Sequence, residues 1–185
     1  MSYIKTIPFE EADGRLKEIY DDLIAKRGKL AEVHKVQSLN PETVVTHMEL
    51  YMSIMFGQSP LSRAQREMIA VVVSVANDCK YCQMHHSEAL GKYWKDEEQI
   101  KALRKNFNKA YLNQADELLC ELAWQLTRVP SASTEDILIK LKEWGFDDRS
   151  ILDATLVIAY FNFVNRIVLG LGVESELKET KGYNY

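Results

Sequence analysis

The sequence contains few cysteines and no excess of positive charge. Three cysteines in 185 residues cannot build a disulfide framework. The formal net charge is -4, whereas binding to nucleic acid or to an acidic membrane surface requires concentrated Lys and Arg. We therefore predict neither a nucleic acid nor a membrane as a partner.

Leader and membrane-spanning patterns are also missing. Residues 1–5 are followed by Pro8 and a charged stretch instead of the apolar run of a secretory signal. The most apolar segment, 151–173, carries too many polar side chains for a membrane span, which predicts a buried helix and a cytoplasmic protein. These polar side chains are Asp153, Asn162, Asn165 and Arg166.

No strand, glycine-rich phosphate loop, low-complexity stretch or internal repeat is recognisable, and helical patterns dominate. Apolar residues recur at spacings of three and four, which predicts an all-α fold. The last four residues, 182–185, have the character of a mobile tail. Predicted helices cover about 10–26, 41–56, 62–76, 79–93, 96–104, 114–126, 135–144 and 148–171.

Capping signals mark the two central helices. Ser62 and Gln65 have the spacing of a capping box, and a densely apolar run follows them as far as Ala76. Length and the cap favour a helix there, although the valines of this run also suit a strand. Asn77 and Asp78 then offer an N-cap directly before Cys79.

Two cysteines and one histidine share a stripe of the predicted helix. At about 100° per residue, Cys82 and His86 fall within about 60° of Cys79, whereas His85 falls about 120° away. The spacing therefore favours His86 over His85 as the partner of both sulfurs. A thiol in the first turn of a helix also lies near unpaired N–H groups, which favour the thiolate.

Proton donation is the stronger reason for a histidine at this position. Lowering a thiol pKa from about 8.5 to about 6.5 raises the reactive fraction, but reduced nucleophilicity leaves only about a threefold gain. An imidazolium at His86 can instead protonate the group that leaves during attack on a peroxide or disulfide. The second cysteine can then condense with a sulfenic acid to form a disulfide.

Other interpretations of the same residues stay open. The pair could be incidental, or Cys79, Cys82, His86 and Glu67 could bind zinc, although a second close Cys or His pair is missing. Covalent haem is excluded because Gln83, not His, follows the second cysteine.

Features outside this stripe of the helix have more than one possible role. Glu67 suits a solvated helix start and a buried functional carboxylate equally well. Cys120 lies in a leucine-rich segment typical of core packing. The long apolar final helix would also suit a non-catalytic assembly protein.

The constellation of Glu67, Cys79, Cys82 and His86 resembles the superfamily of alkylhydroperoxidase AhpD and carboxymuconolactone decarboxylase, in its peroxidase-related branch. The resemblance is close over 59–86, and segments 160–166 and 170–173 also match. It implies one AhpD-like helical domain over 1–185, with a CxxC core at 59–93 and a final helix at about 148–171. It further implies a symmetric homo-oligomer, which could be a dimer, trimer or hexamer.

The resemblance also implies chemical roles. Cys82 would attack a hydroperoxide, Cys79 would resolve the product, and a relay would pass protons from Glu67 through His86. A dithiol or a protein would act as reductant, with no cofactor and no metal. AhpD carries a relay histidine where this chain has Tyr81, and a phenol with a pKa near 10 shuttles protons poorly at pH 7. Thiol–disulfide exchange without peroxide turnover is therefore the alternative, besides zinc binding or a regulatory role.

Overall fold

The computed structural model describes residues 2–174, and every regular element among them is helical. The predicted all-α class is confirmed. The predicted tail at 182–185 lies outside the described residues. The α-helices are α1 Gly14–Arg27, α2 Glu32–Lys35, α3 Pro41–Phe56, α4 Arg63–Ala76, α5 Lys80–Trp94, α6 Glu97–Lys105, α7 Gln114–Arg128, α8 Glu135–Glu143 and α9 Asp148–Gly170.

The chain divides into two compact units. Among the described residues, the terminal unit comprises 2–53 and 166–174, and the central unit runs from Ile54 to Asn165. Helices α3 and α9 each contribute residues to both units. The organisation of 1–185 as a single domain stays a prediction.

The terminal unit has its own small core. Ile19 and Leu23 of α1 pack with Val44 of α3, which is fully buried. The chain start is held by backbone pairing, since the amide of Tyr3 donates to the carbonyl of Leu171 at 2.9 Å. The predicted helix over 10–26 begins later, at Gly14.

Helix α4 is the centre of the central unit and contacts α5, α6 and α7. Its residues from Arg66 to Ser74 are all buried. A helix that is apolar on every side must be enclosed by other helices, because each face removes apolar surface from water. The valine-rich run is therefore a buried helix, as predicted.

The predicted caps are right at the start of α4 and wrong at the start of α5. Ser62 accepts from the amide of Gln65 at 3.1 Å and the Gln65 side chain accepts from the Ser62 amide at 3.0 Å, so the capping box is confirmed. Cys79 itself occupies the N-cap position of α5. Asn77 instead caps the end of α4, and Asp78 adopts a left-handed φ of 55°. The turn from α4 to α5 is so short that neither Asn77 nor Asp78 is available as the N-cap of α5.

Helix α9 is long and apolar enough to cross a membrane by length and composition alone. Its polar residues argue for a protein environment, because Asn165 is fully buried and hydrogen-bonded. Asp147 caps this helix through two hydrogen bonds from Ser150. The helix ends at Gly170, close to the predicted boundary.

Candidate active site

All four predicted site residues lie in the central unit, three of them on α4 and α5 and Cys79 at the α5 N-cap. Glu67 and Cys79 are fully buried, and Cys82 is 2% exposed. The His86 side chain is 14% exposed. Glu67 is therefore not a solvated residue of a helix start, which was one of its two interpretations. A carboxylate with no access to water requires hydrogen-bonding or charged partners.

The two cysteines form a close pair of free thiols. Their Sγ atoms lie 2.9 Å apart, within hydrogen-bonding distance. Burial raises the pKa of Cys82 well above its ordinary value, and the hydrogen bond to Cys79 raises it further. The hydrogen bond from Cys82 lowers the pKa of Cys79, although burial opposes this effect. The contact between the sulfurs therefore favours ionisation of Cys79 over ionisation of Cys82.

Hydrogen bonds to the last turn of α4 hold Cys79 at the N-cap of α5. The carbonyl oxygen of Ser74 accepts from the Cys79 amide at 2.9 Å and from the Gln83 side chain at 3.2 Å. Because carbonyls in the last turn of a helix lack intrahelical partners, they are free to accept these bonds. The carbonyl of Ser74 thus ties the start of α5 to α4.

Glu67 and His86 are in direct contact. The Nδ1 atom of His86 lies 2.7 Å from Oε2 of Glu67, and the edge-on ring of Phe161 packs against His86 at 4.3 Å between centroids. Burial raises the pKa of Glu67, but the opposing effects of His86 and Arg63 leave it lowered. An ionised carboxylate only accepts, so Nδ1 of His86 carries the hydrogen of this bond.

Arg63 is a member of the cluster that the sequence analysis missed. Its Nε and Nη2 atoms lie 3.1 Å and 2.5 Å from Oε1 of Glu67. Its Nη1 atom donates to the carbonyl of Met55 at 3.1 Å. The signal was present, because an arginine and a glutamate four residues apart on one helix are neighbours.

His85 takes a different direction from His86. Its ring packs against Tyr81, with centroids 4.4 Å apart and planes inclined by 34°. His86 is thus the histidine of this segment that contacts Glu67, and its predicted preference over His85 as partner of the sulfurs stays a prediction. The structure joins Cys79 to Cys82 and Glu67 to His86, and contact between these two pairs stays a prediction from helical spacing.

A network of side-chain amides, of which Asn165 is fully buried, connects the turn before Cys79 to α9. Asn77 Nδ2 donates to Oδ1 of Asn162 at 3.0 Å and to Oδ1 of Asn165 at 3.3 Å. Asn162 in turn donates to Oγ1 of Thr127 at 3.0 Å. The two bonds of Asn77 span 85 and 88 residues of sequence, and no local pattern predicts them.

Metal binding has no support from the described part of the chain. Between residues 2 and 174, no group of three or more His, Cys, Asp or Glu side chains is arranged to hold a metal ion. Glu67, the suggested fourth zinc ligand, uses both oxygens on Arg63 and His86. Cys120 is fully buried in the core, as predicted.

Comparisons with known proteins concern the family and the fold. Residues 41–106 match the model of the carboxymuconolactone decarboxylase family. The uncharacterized protein YdfG of Bacillus subtilis (strain 168) is 28% identical over 115 residues, which cover 62% of this chain and 78% of that protein.

Two solved structures share the fold over almost the whole chain. A peroxidase-related protein from Silicibacter sp. TM1040 is 28% identical, with a TM-score of 0.86 and coverage of 97% of this chain and 94% of that one. A protein with an alkylhydroperoxidase AhpD core from Ralstonia eutropha JMP134 is 21% identical, with the same TM-score and the same coverage. The second likeness concerns the fold alone.

Proposed function

Since the chain belongs to the superfamily of AhpD and carboxymuconolactone decarboxylase, we propose that it is a thiol-dependent peroxidase that reduces a hydroperoxide with Cys79 and Cys82. The observation that carries this proposal is the separation of 2.9 Å between the two free sulfurs. Two thiols this close can form a disulfide with little movement of the backbone. They can therefore complete a redox cycle within one chain.

The proposed cycle has two steps. A thiolate attacks the outer oxygen of the hydroperoxide, the O–O bond breaks, and the alkoxide takes a proton and leaves as an alcohol. The attacking sulfur is now a sulfenic acid. The second thiol displaces its oxygen as water and forms the disulfide, which a dithiol or protein reductant must reduce again.

His86 supplies the proton in the first step. Donation to the leaving alkoxide assists the breaking of the O–O bond, and general acid catalysis of this kind contributes about 10²–10⁴ in rate. Its bond of 2.7 Å to Glu67 orients the ring and fixes Nδ1 as the nitrogen that faces the carboxylate. This support makes His86 the residue that exchanges protons with the reacting atoms.

The two sulfurs divide the work. The family resemblance implies attack by Cys82 and resolution by Cys79. The hydrogen bond between the sulfurs lowers the pKa of Cys79, which favours ionisation of Cys79 over Cys82. Attack by Cys82 is compatible with the lower pKa of Cys79 if a proton moves from Cys82 to Cys79 before attack. The two sulfurs lie 2.9 Å apart and share that proton.

Stopped-flow mixing of reduced protein with cumene hydroperoxide tests the proposal. We expect loss of two thiols per chain, with formation of the Cys79–Cys82 disulfide. Cys82→Ser should abolish the fast phase, whereas Cys120→Ser should leave it unchanged because that buried thiol lies in the core. Equal thiol loss in Cys82→Ser would overturn the proposal.

Thiol–disulfide exchange is the second candidate function. Tyr81 stands where AhpD has a relay histidine, and it packs against the ring of His85 at 4.4 Å. Reduction of a small disulfide such as oxidised glutathione, with no reaction with peroxide, would favour this candidate. For either function we propose a reducing, cytoplasmic setting and a homo-oligomer.

A further inference from the structure

We infer that Arg63 is a positioning residue that holds Glu67 as a permanent anion, so that protons enter and leave the cluster through Nε2 of His86 and never reach Glu67. This inference rests on the proposed function for its kinetic consequence. Its structural content concerns the charge of one carboxylate and the tautomer of one ring, and both can be measured without turnover.

The contacts of Arg63 carry the inference. Two nitrogens of its guanidinium contact the same oxygen of Glu67, at 3.1 Å and 2.5 Å. The third nitrogen is held by the carbonyl of Met55, and the group lies 3.7 Å above the ring of Phe56. The arginine is thus fixed on three sides, and its side chain is only 12% exposed.

The surroundings of Glu67 favour its ionised form over its protonated form. The carboxylate is fully buried, with Arg63 on Oε1 and His86 on Oε2. Hydrogen bonds from charged donors favour the ionised form, and an arginine stays charged throughout the accessible pH range. Taking up a proton would break one of these bonds and remove the negative charge that faces a largely buried guanidinium, which is strongly unfavourable.

The consequence for His86 follows from the acceptor-only character of the carboxylate. Nδ1 must carry a hydrogen to bond Oε2 at 2.7 Å. In the neutral ring, Nε2 is then the only nitrogen that can accept a proton. If Arg63 lost its charge, Glu67 could become protonated and donate to Nδ1, and the ring would then be free to adopt the other tautomer.

An ordinary structural ion pair is the competing explanation, and the chain offers a matched control for it. Arg149 also pairs with a carboxylate four residues later, at 2.8 Å from Asp153, and it also donates to a loop carbonyl, that of Gln58 at 3.2 Å. Its side chain is 60% exposed. Arg149→Gln therefore removes the same type of bond pattern away from the cysteine cluster.

The experiment uses NMR on the full reduced chain, with ¹⁵N-labelled histidine and ¹³C-labelled glutamate carboxyls. In the wild type we expect Glu67 to stay ionised throughout the titration of His86, and neutral His86 to carry its hydrogen on Nδ1. Arg63→Gln should raise the pKa of Glu67 and populate the Nε2–H tautomer. Arg63→Lys keeps the charge and should restore much of the wild-type pattern, and Arg149→Gln should match the wild type.

Kinetics provide the second readout. We expect Arg63→Gln to slow thiol oxidation by cumene hydroperoxide roughly tenfold to a hundredfold and to change the shape of its pH profile, since oriented acid–base groups contribute at about this level or more. Arg149→Gln should change neither quantity.

The results separate the inference from the proposed function. A Glu67 carboxyl that titrates together with His86 in the wild type would overturn the inference even if Arg63→Gln did not fold. An Arg63→Gln protein whose tautomer and pH profile match those of Arg149→Gln would also overturn it. A wild type that does not react with peroxide would refute the proposed function and leave the NMR result to decide the inference.

Discussion

Oε2 of Glu67 lies 2.7 Å from Nδ1 of His86, which follows it by 19 residues on the next helix. The carboxylate is completely buried, and the histidine side chain retains 14% exposure. One partner is therefore sealed in the core while the other reaches the surface. This difference supports the proposal of a fixed anion beside a ring that exchanges protons.

Removal of the charge of Glu67 should affect both rate and stability. Glu67→Gln removes the negative charge that pairs with Arg63, so we expect a loss of about 3–5 kcal/mol in the free energy of unfolding. Urea denaturation measures this loss, and stopped-flow mixing with peroxide should reveal slower thiol oxidation. Glu88→Gln, on an exposed position of α5, is the control and should behave as the wild type. An unchanged oxidation rate in folded Glu67→Gln would contradict the assigned role.

The thiols should differ in reactivity before any peroxide is added. The lowered pKa of Cys79 favours its thiolate, whereas burial raises the pKa of both Cys82 and Cys120. With less than one equivalent of iodoacetamide near pH 8, we expect label on Cys79 first. Peptide mass spectrometry locates the label. Preferential labelling of Cys82 or Cys120 would show that the resting charge lies elsewhere.

His47 should make the protein less stable in acid. Burial lowers the pKa of His47 to about 4, so the ring is neutral in the folded state. The unfolded chain, with a pKa near 6.5, binds more protons between pH 6.5 and pH 4. The stabilising contribution is thus complete above pH 6.5 and declines as the pH falls, by about 3 kcal/mol at pH 4.

Unfolding in urea at several pH values measures this effect. His47→Asn keeps an acceptor near the position of Nδ1, which lies 2.9 Å from the side-chain nitrogen of Gln37. We expect a shallower decline of stability with acid in this variant. An equally steep decline in wild type and variant would assign the acid sensitivity to other groups.

The hydrogen-bonded side chains of Asn77 and Asn162 should act together. Asn162→Leu removes one acceptor of Asn77 and the donor to Thr127, which should cost about 1–3 kcal/mol in the free energy of unfolding. Asn77→Ala should have a similar cost. Because the two side chains share a hydrogen bond, the double variant should lose less than the sum of the single losses. Strict additivity in thermal or urea unfolding would mean that the network is not coupled.

The capping box offers a local test of helix α4. Ser62→Ala removes the acceptor of the Gln65 amide at 3.1 Å, so we expect a loss of about 1 kcal/mol. Ser62→Thr should retain most of the stability because its hydroxyl can accept the same bond. The midpoint of urea unfolding distinguishes the two variants, and equal midpoints would contradict the capping role.

Local features of the central unit could be predicted with good accuracy. The cap at Ser62 and the burial of Cys120 agree with the structure. The start of α5 was wrong because Asn77 and Asp78 are strong cap formers in isolation, whereas the turn uses Asn77 to end α4 and leaves Asp78 with a φ of 55°. A preference for caps does not say which of two adjoining helices receives the residue.

The sequence by itself determined the longer helices but not the short α2, Glu32–Lys35. It also determined the spacing of Cys79 and Cys82 and the neighbourhood of Arg63 and Glu67, because hydrogen bonds within a helix reach only three or four residues. Only the tertiary structure decided that Glu67 is sealed from water between Arg63 and His86. The physical reason is that burial and the direction of each carboxylate oxygen depend on how α4 packs against α5, and this packing sums contacts from residues far apart in the chain.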